Sequence, residues 1–137
     1  MSFQNDVLAW QRKAEAAMTA TLKESAQDLV NETQKSRSRG GRMPVDLGFL
    51  VNSFSAALNS TPKGEGEAPP GYSKADWDAS PVVLVINRVK IGDRLVMGWT
   101  ANYAPYMEAR YSFMRSAAQN WDTITERAAR RVRRAIR

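Results

Sequence analysis

Apolar residues recur at steps of three and four through the first part of the chain, which is the spacing of one face of an α-helix. They are Phe3, Val7, Trp10, Ala14, Ala17 or Met18, Leu22, Ala26 and Leu29. This pattern predicts one helix over residues 3 to about 36 of an N-terminal region 1–40. Ser2 or Asn5 is the expected N-cap, and Gly40-Gly41 the expected end. Such a helix spans about 50 Å, so part of it is expected to pack either on its own core or on a neighbouring subunit.

A second periodic segment begins at Pro44-Val45-Asp46, with Asp46 placed to cap a short helix through about Ser55. Its apolar face consists of Leu47, Leu50, Val51, Phe54 and Leu58. Residues 54–60 also alternate between apolar and polar side chains, so an edge strand there is the alternative.

Residues 61–80 are rich in Pro, Gly, Lys, Glu and Asp, and they predict a long flexible loop. Tyr72 and Trp77 lie in it. This aromatic pair either anchors the loop against a partner surface or folds back on its own domain.

Two apolar runs, Val82 to Ile86 and Leu95 to Trp99, flank a turn near Gly92-Asp93. They predict a β-hairpin over residues 81–100. Both runs are apolar on both faces, so a sheet covered on both sides is expected.

Pro105 follows the second run and predicts an extended Ala104. A single amphipathic helix is then predicted over residues 112–137. Its apolar stripe consists of Phe113 or Met114, Ala117, Trp121, Ile124, Ala128, Val132 and Ile136.

These elements together predict a single α+β domain covering residues 1–137. It would contain a long N-terminal helix, a short second helix, a small antiparallel sheet around the hairpin and a long C-terminal helix. The length of 137 residues and a hydrophobic content of 43% are ordinary for one globular domain.

Composition narrows the possible chemistry. The sequence has no cysteine and no histidine, which excludes thiolate nucleophiles, disulfides, imidazole bases and zinc sites built on either residue. The acids Asp46, Asp76, Asp78, Asp93 and Glu108 all have local structural explanations, so we predict no enzyme, no metal site and no cofactor. With no apolar run long enough for a membrane span and no signal-peptide pattern, we expect the chain in the cytosol.

The net charge of +6 implies an acidic partner. Arginines crowd the C-terminus at positions 127, 130, 131, 133, 134 and 137. They form either a solvated helix end, which the helix macrodipole favours, or a phosphate-binding patch, or a docking site for an acidic protein surface.

Three short motifs occur in order: Pro44-Val45-Asp46-Leu47-Gly48-Phe49-Leu50-Val51-Asn52-Ser53, then Asn102 to Glu108, then Phe113-Met114-Arg115-Ser116-Ala117. Together they resemble the neck, or tail-completion, proteins of long-tailed double-stranded DNA phages. The resemblance covers roughly residues 43–137. The chain departs from the family's pattern in the short connection between Glu108 and Phe113 and in the long 61–80 loop.

This resemblance implies a non-enzymatic virion subunit that assembles in the host cytoplasm into a ring, sixfold in that family, between the head connector and the tail. Its partners would be further copies of itself, head-completion or connector proteins, the tail terminator or tail tube, and the genomic DNA in the lumen, with no membrane. The expected interface residues are Tyr103, Pro105, Tyr106, Glu108, Tyr72, Trp77, Arg130, Arg131, Arg133, Arg134 and Arg137. Tyr103 to Tyr106 either bond across an interface, with Glu108 pairing to an arginine, or simply build the corner of the monomer.

Two other functions remain open at this level. One is a tail-tube terminator or another minor tail protein, since these rings share the size and general fold class. The other is a basic DNA-binding protein that uses the helix at 112–137 to bind phosphates in a sequence-independent way.

Overall fold

A computed structural model describes residues 2–136 and gives a mixed α+β fold, as the sequence predicts. In chain order the elements are α1 (Phe3–Gln34), a 3-10 turn (Arg37–Arg39), α2 (Phe49–Asn52), β1 (Phe54–Leu58), α3 (Ser80–Asn87), β2 (Leu95–Trp99), α4 (Ala104–Tyr111), α5 (Phe113–Ala118) and α6 (Trp121–Ala135).

The long N-terminal helix is confirmed. Of its two candidate caps the chain uses Ser2, whose hydroxyl oxygen accepts a hydrogen bond from the backbone N–H of Asn5 at 3.2 Å. The helix ends at Gln34, slightly before the predicted end, and Gly40 ends the 3-10 turn in a left-handed conformation with φ of 87°.

Only the second half of α1 belongs to the core. Its buried residues are Ser25, Ala26, Val30, Thr33 and Gln34. Helix α6 packs along this half, with Asn120 donating to Glu32 at 2.7 Å and Arg131 donating to Glu24 at 2.9 Å. These two contacts show that α6 runs antiparallel to α1.

The predicted hairpin over 81–100 is wrong. Its first run forms helix α3, which begins with Pro81 in its first turn, a position that needs no backbone donor. Val82 and Ile86 of this helix and Val89 just after it are buried at steps of four and three, which is the helical period. An apolar run this short fits either a buried strand or a buried helix.

The second run does form a strand, β2. Its partner is β1 at Phe54–Leu58, where an edge strand is the alternative that the sequence offers. Strands β1 and β2 are antiparallel, with Phe54 opposite Trp99, Ala56 opposite Met97 and Leu58 opposite Leu95. Asn59 closes the open end, because its side chain donates to Asp93 and accepts from the N–H of Arg94. The hydrogen bonds that the Asn59 amide and the N–H of Lys90 donate to Asp93 lower the pKa of its carboxyl.

The predicted helix from Pro44 to about Ser55 is reduced to the single turn α2. Its N-cap is Gly48, not Asp46, and Gly48 has a φ of 88°. A side chain at this position would also collide with the carbonyl of Lys74. The loop segment at Lys74 passes so close to the backbone of Gly48 that only glycine fits at position 48.

Two further predictions in the C-terminal part are wrong. Ala104 is not extended but is the first residue of α4, because Pro105 fits the first turn of a helix. The single helix over 112–137 is two helices, α5 and α6, separated by Gln119 and Asn120.

The core consists of two clusters that meet at Trp99. One contains Met43, Phe49, Leu50, Val51, Ala101, Ala104 and Phe113, and the other contains Ala26, Val30, Phe54, Val82 and Ile86. The ring of Trp99 lies edge-on to Phe54 at 4.9 Å and to Phe113 at 4.8 Å between centroids.

Gln34 links the clusters by hydrogen bonds. Its buried amide donates to the carbonyl of Val51 at 2.7 Å and accepts from the indole N–H of Trp99 at 2.9 Å. One side chain thus ties α1 to the end of α2 and to β2.

We predict that Gln34→Met lowers the free energy of unfolding by about 1–3 kcal/mol, because the carbonyl of Val51 and the indole N–H of Trp99 lose their partner in the core. Urea denaturation followed by circular dichroism measures this. Gln27→Met, which removes a surface hydrogen bond to Asn31 from the same helix, is the control and should change stability by less than about 0.5 kcal/mol. Equal effects would show that the buried bonds of Gln34 contribute nothing specific.

Candidate interaction surfaces

The first half of α1 projects from the domain with large apolar side chains in solvent. Phe3 is 84% exposed, Trp10 is 71% exposed and Met18 is 63% exposed. Phe3, Val7, Trp10 and Ala14 follow each other at steps of four, three and four, so they form one stripe along the helix. We call these four residues the α1 stripe.

A groove continues from this stripe. It lies between α1 and α6, has a volume of about 410 Å³ and is lined by Ala17, Met18, Thr21, Leu22, Ser25, Trp121, Thr125, Ala129, Val132 and Arg133. We call it the α1/α6 groove. The sequence left open whether part of α1 packs on its own core or on a neighbouring subunit. It does not predict the groove, because only the packing of α6 on α1 creates the second wall.

The corner at residues 103–108 carries two tyrosines that differ in exposure. Tyr103 precedes α4, is 42% exposed and has its ring centroid 6.4 Å from that of Phe49, whereas Tyr106 is 67% exposed. Partial burial raises the pKa of the Tyr103 phenol, although a hydrogen bond with the backbone of Leu50 opposes this effect. Tyr103 therefore packs in part on the monomer, and its exposed part forms the surface of this corner together with Tyr106 and Pro105.

Glu108 has a role within the chain that the sequence did not predict. Its two carboxylate oxygens accept hydrogen bonds from the backbone N–H groups of Met114 at 2.7 Å and Arg115 at 3.2 Å. It therefore caps the N-terminus of α5, which follows Ser112 in a left-handed conformation. Among residues 2–136, this carboxylate bonds to backbone N–H groups and not to an arginine side chain.

The C-terminal arginines differ in their contacts and do not form one uniform basic surface. Arg131 bonds to Asp28 and Glu24 of α1, and these bonds raise the pKa of its guanidinium. Arg130 pairs with Glu126 one turn away at 3.1 Å, and the Nε of Arg133 lies 3.4 Å from the carbonyl of Ala129.

Two further arginines of α6, Arg127 and Arg134, are exposed. The predicted interface residue Arg137 lies outside the described residues. Part of the basic cluster thus holds α6 on α1, and the rest faces solvent.

The loop aromatics fold back on the domain. Tyr72 meets Phe49 edge-on at 5.4 Å between ring centroids, and Trp77 meets Phe54 edge-on at 6.2 Å. Residues 61–79 contain no helix or strand, as predicted. Asn52 holds the loop in place by donating to the carbonyl of Lys74 and accepting from the N–H of Asp78.

The acids of the loop have separate surroundings. The carboxylate of Asp78 accepts from the N–H of Ser80 at the start of α3, which lowers its pKa. Asp76 lines a cavity of about 730 Å³ together with Lys35, Arg39, Asp46 and Trp77. In residues 2–136, no group of three or more acidic side chains is placed to hold a metal ion.

Comparison with protein-family models, with curated proteins and with solved structures gave no match. Across residues 2–136, no helix combines the length and apolar character needed to cross a bilayer.

We predict that Glu108→Ala lowers the free energy of unfolding by about 0.5–2 kcal/mol, the range for loss of a helix cap, and leaves self-association per folded molecule unchanged. Thermal denaturation and sedimentation velocity measure the two effects. Glu126→Ala, which removes an exposed acid paired along α6, is the control and should cost at most about 0.5 kcal/mol. Lost association with unchanged stability would instead place Glu108 in an interface.

Proposed function

We propose that this protein is a structural subunit of a phage neck, a tail-completion or head-tail joining protein. In this role it forms a ring between the head connector and the tail in the virion and turns over no substrate. Its partners are further copies of itself, the connector or head-completion proteins and the tail terminator or tail tube.

The projecting half of α1 carries this proposal. Phe3 and Trp10 are large aromatic side chains that lie mostly in solvent on one stripe, and a contiguous exposed apolar surface of this kind marks a contact with another protein. A subunit built for assembly gains stability when this surface is covered. The exposed Tyr106 at the 103–108 corner offers a second surface of the same kind.

The placement of the three family motifs also supports the proposal. Phe49 to Val51 come from the first motif, Ala104 from the second and Phe113 from the third, and all belong to one core cluster. A fold shared with that family requires each motif to supply core residues, and all three do so here.

A minor tail protein, such as the tail-tube terminator, is the nearest alternative, because the same exposed surfaces suit any ring of this size. A basic DNA-binding protein is the alternative from another class. Exposed Arg127 and Arg134 favour it, but Ile124, Ala128 and Val132 of the same helix are buried. Only the outer face of α6 is therefore accessible to phosphates.

The joining role is tested by electron microscopy of lysates from a parent phage or prophage that lacks this gene. We expect DNA-filled heads beside free, full-length tails, because both parts assemble without the joining ring. Complementation with the intact gene should restore joined particles. Normal infectious particles would exclude the role, and tails of uncontrolled length would favour the terminator.

The DNA-binding alternative makes a different prediction. If the protein is a ring subunit, binding to duplex DNA should be weak, and Arg127→Gln combined with Arg134→Gln should leave head-tail joining unchanged. Fluorescence anisotropy at about 50 and 200 mM salt measures the binding, since phosphate contacts weaken steeply over this range. Gln4→Ala combined with Gln11→Ala, two uncharged changes on α1, is the control. Tight, salt-sensitive binding that the double arginine variant abolishes would favour the DNA-binding alternative.

A further inference from the structure

We infer that residues 3–16 of one copy dock in the α1/α6 groove of a neighbouring copy, with the α1 stripe facing the groove. The inference deepens the proposed function by naming the contact between subunits. It rests on that function only for the closure of the ring, because the contact itself follows from two uncovered apolar surfaces of this chain.

The α1 stripe cannot be covered by its own chain through bending. Helix α1 is continuous from Phe3 to Gln34, and this span contains neither glycine nor proline, the residues at which helices usually kink. The first four turns therefore point away from the domain along the axis fixed by the packed second half. A partner molecule is needed to cover them.

The exposed area is sufficient for a specific contact. Phe3 and Trp10 each contribute most of the roughly 150–250 Å² that an aromatic side chain can bury. Val7, on the same face, is 43% exposed and adds to this area. A stable protein contact buries about 800 Å² per partner, so these three side chains supply its apolar centre and the polar side chains beside the stripe supply its rim.

The α1/α6 groove is an acceptor of matching character. Its walls are mostly apolar or small side chains, including Met18, Ala129 and Trp121, of which Trp121 is 37% exposed. Its volume of about 410 Å³ is in the range of clefts that enclose bound groups. Two side chains of the stripe can enter it while the polar face of the docked helix stays in water.

A second copy is the occupant that covers both surfaces with one kind of contact. The stripe and the groove are continuous, because Ala14 at the end of the stripe is followed by Ala17 and Met18 in the groove wall. A helix that lies in the groove thus also approaches the neighbour's stripe. Because donor and acceptor are different surfaces, we infer a heterologous contact that repeats from copy to copy, as a ring or an open chain requires. A reciprocal pair, in which each copy fills the other's groove, would give only dimers and would overturn this repeat.

Thiol cross-linking tests this arrangement, because the protein has no cysteine of its own. The variant with both Val7→Cys and Thr125→Cys is treated with a short bis-maleimide cross-linker and resolved on a denaturing gel. We expect a ladder of dimer, trimer and larger products, because each copy both donates and accepts. Arg12→Cys with Thr125→Cys is the matched control, since position 12 lies on the opposite face of α1, and it should give little product.

The outcomes that overturn the inference are specific. Dimers from Val7→Cys alone, with no ladder from the pair, would mean that two stripes pair with each other and the groove stays empty. No product beyond the control at any protein concentration would mean that neither surface meets a second copy, and another protein covers the stripe.

A second variant tests whether the cross-linked products depend on the α1 stripe and not only on the two introduced cysteines. Trp10→Glu added to the Val7→Cys, Thr125→Cys pair should reduce the ladder at least about tenfold, as expected for loss of an aromatic anchor. Because Trp10 is 71% exposed, the fold should be retained, which circular dichroism checks. Arg12→Glu in the same background is the control and should leave the ladder intact. An unchanged ladder with Trp10→Glu would overturn the inference.

The two proposals fail in distinguishable ways. A ladder together with normal particles from the gene-deleted phage keeps the subunit contact and removes the neck function. Unjoined heads and tails together with no ladder keep the joining role and assign the stripe to a different partner.

Discussion

The continuous helix α1 extends well beyond the core on which it packs, and the other parts of the fold depend on how it is placed. Helix α1 has 32 residues and spans about 48 Å, but only its second half has a core to pack on. That half provides Ala26 and Val30 to one cluster, Gln34 to the junction with Trp99, and Glu24 and Asp28 to Arg131 of α6. Since the helix has no point at which it bends, fixing its second half also fixes the direction of the first. The α1 stripe is therefore exposed because only the second half of the helix packs on the core.

The junction at Trp99 explains how so small a sheet is held. Two strands alone are marginally stable in water, so β1 and β2 depend on what covers them. Phe54 and Trp99 face each other across the register and contact both clusters, while α3 packs against β1. In residues 2–136 no buried side-chain nitrogen or oxygen lacks a hydrogen-bond partner. The amide of Gln34 satisfies the indole of Trp99, the polar group that this arrangement would otherwise leave in the core.

Residues of this chain that build the core are separate from those that form its exposed apolar and basic surfaces. Each motif that resembles phage neck proteins contributes some residues to the core, and Glu108 holds the connection between the 103–108 corner and α5. The exposed surfaces that this leaves are the α1 stripe, the α1/α6 groove, Tyr106 and the outer arginines of α6. Arg131, Tyr72 and Trp77 make contacts inside the chain and stabilise the domain that carries those surfaces.

The sequence alone determined the elements whose signal is local: α1, the buried face of α6, the strand at Leu95–Trp99 and the irregular stretch after Thr61. Periodicity over many residues, or its absence, is sufficient for these. The choice of Ser2 over Asn5 as the cap of α1 came from the structure. Only the tertiary structure decided that the apolar run at Ser80–Asn87 is a helix, that β2 pairs with β1, and that Glu108 caps α5. It also decided which half of α1 is covered. A local pattern indicates which side chains are apolar. The surface that covers them belongs to distant parts of the chain or to another molecule, so the local pattern does not identify it.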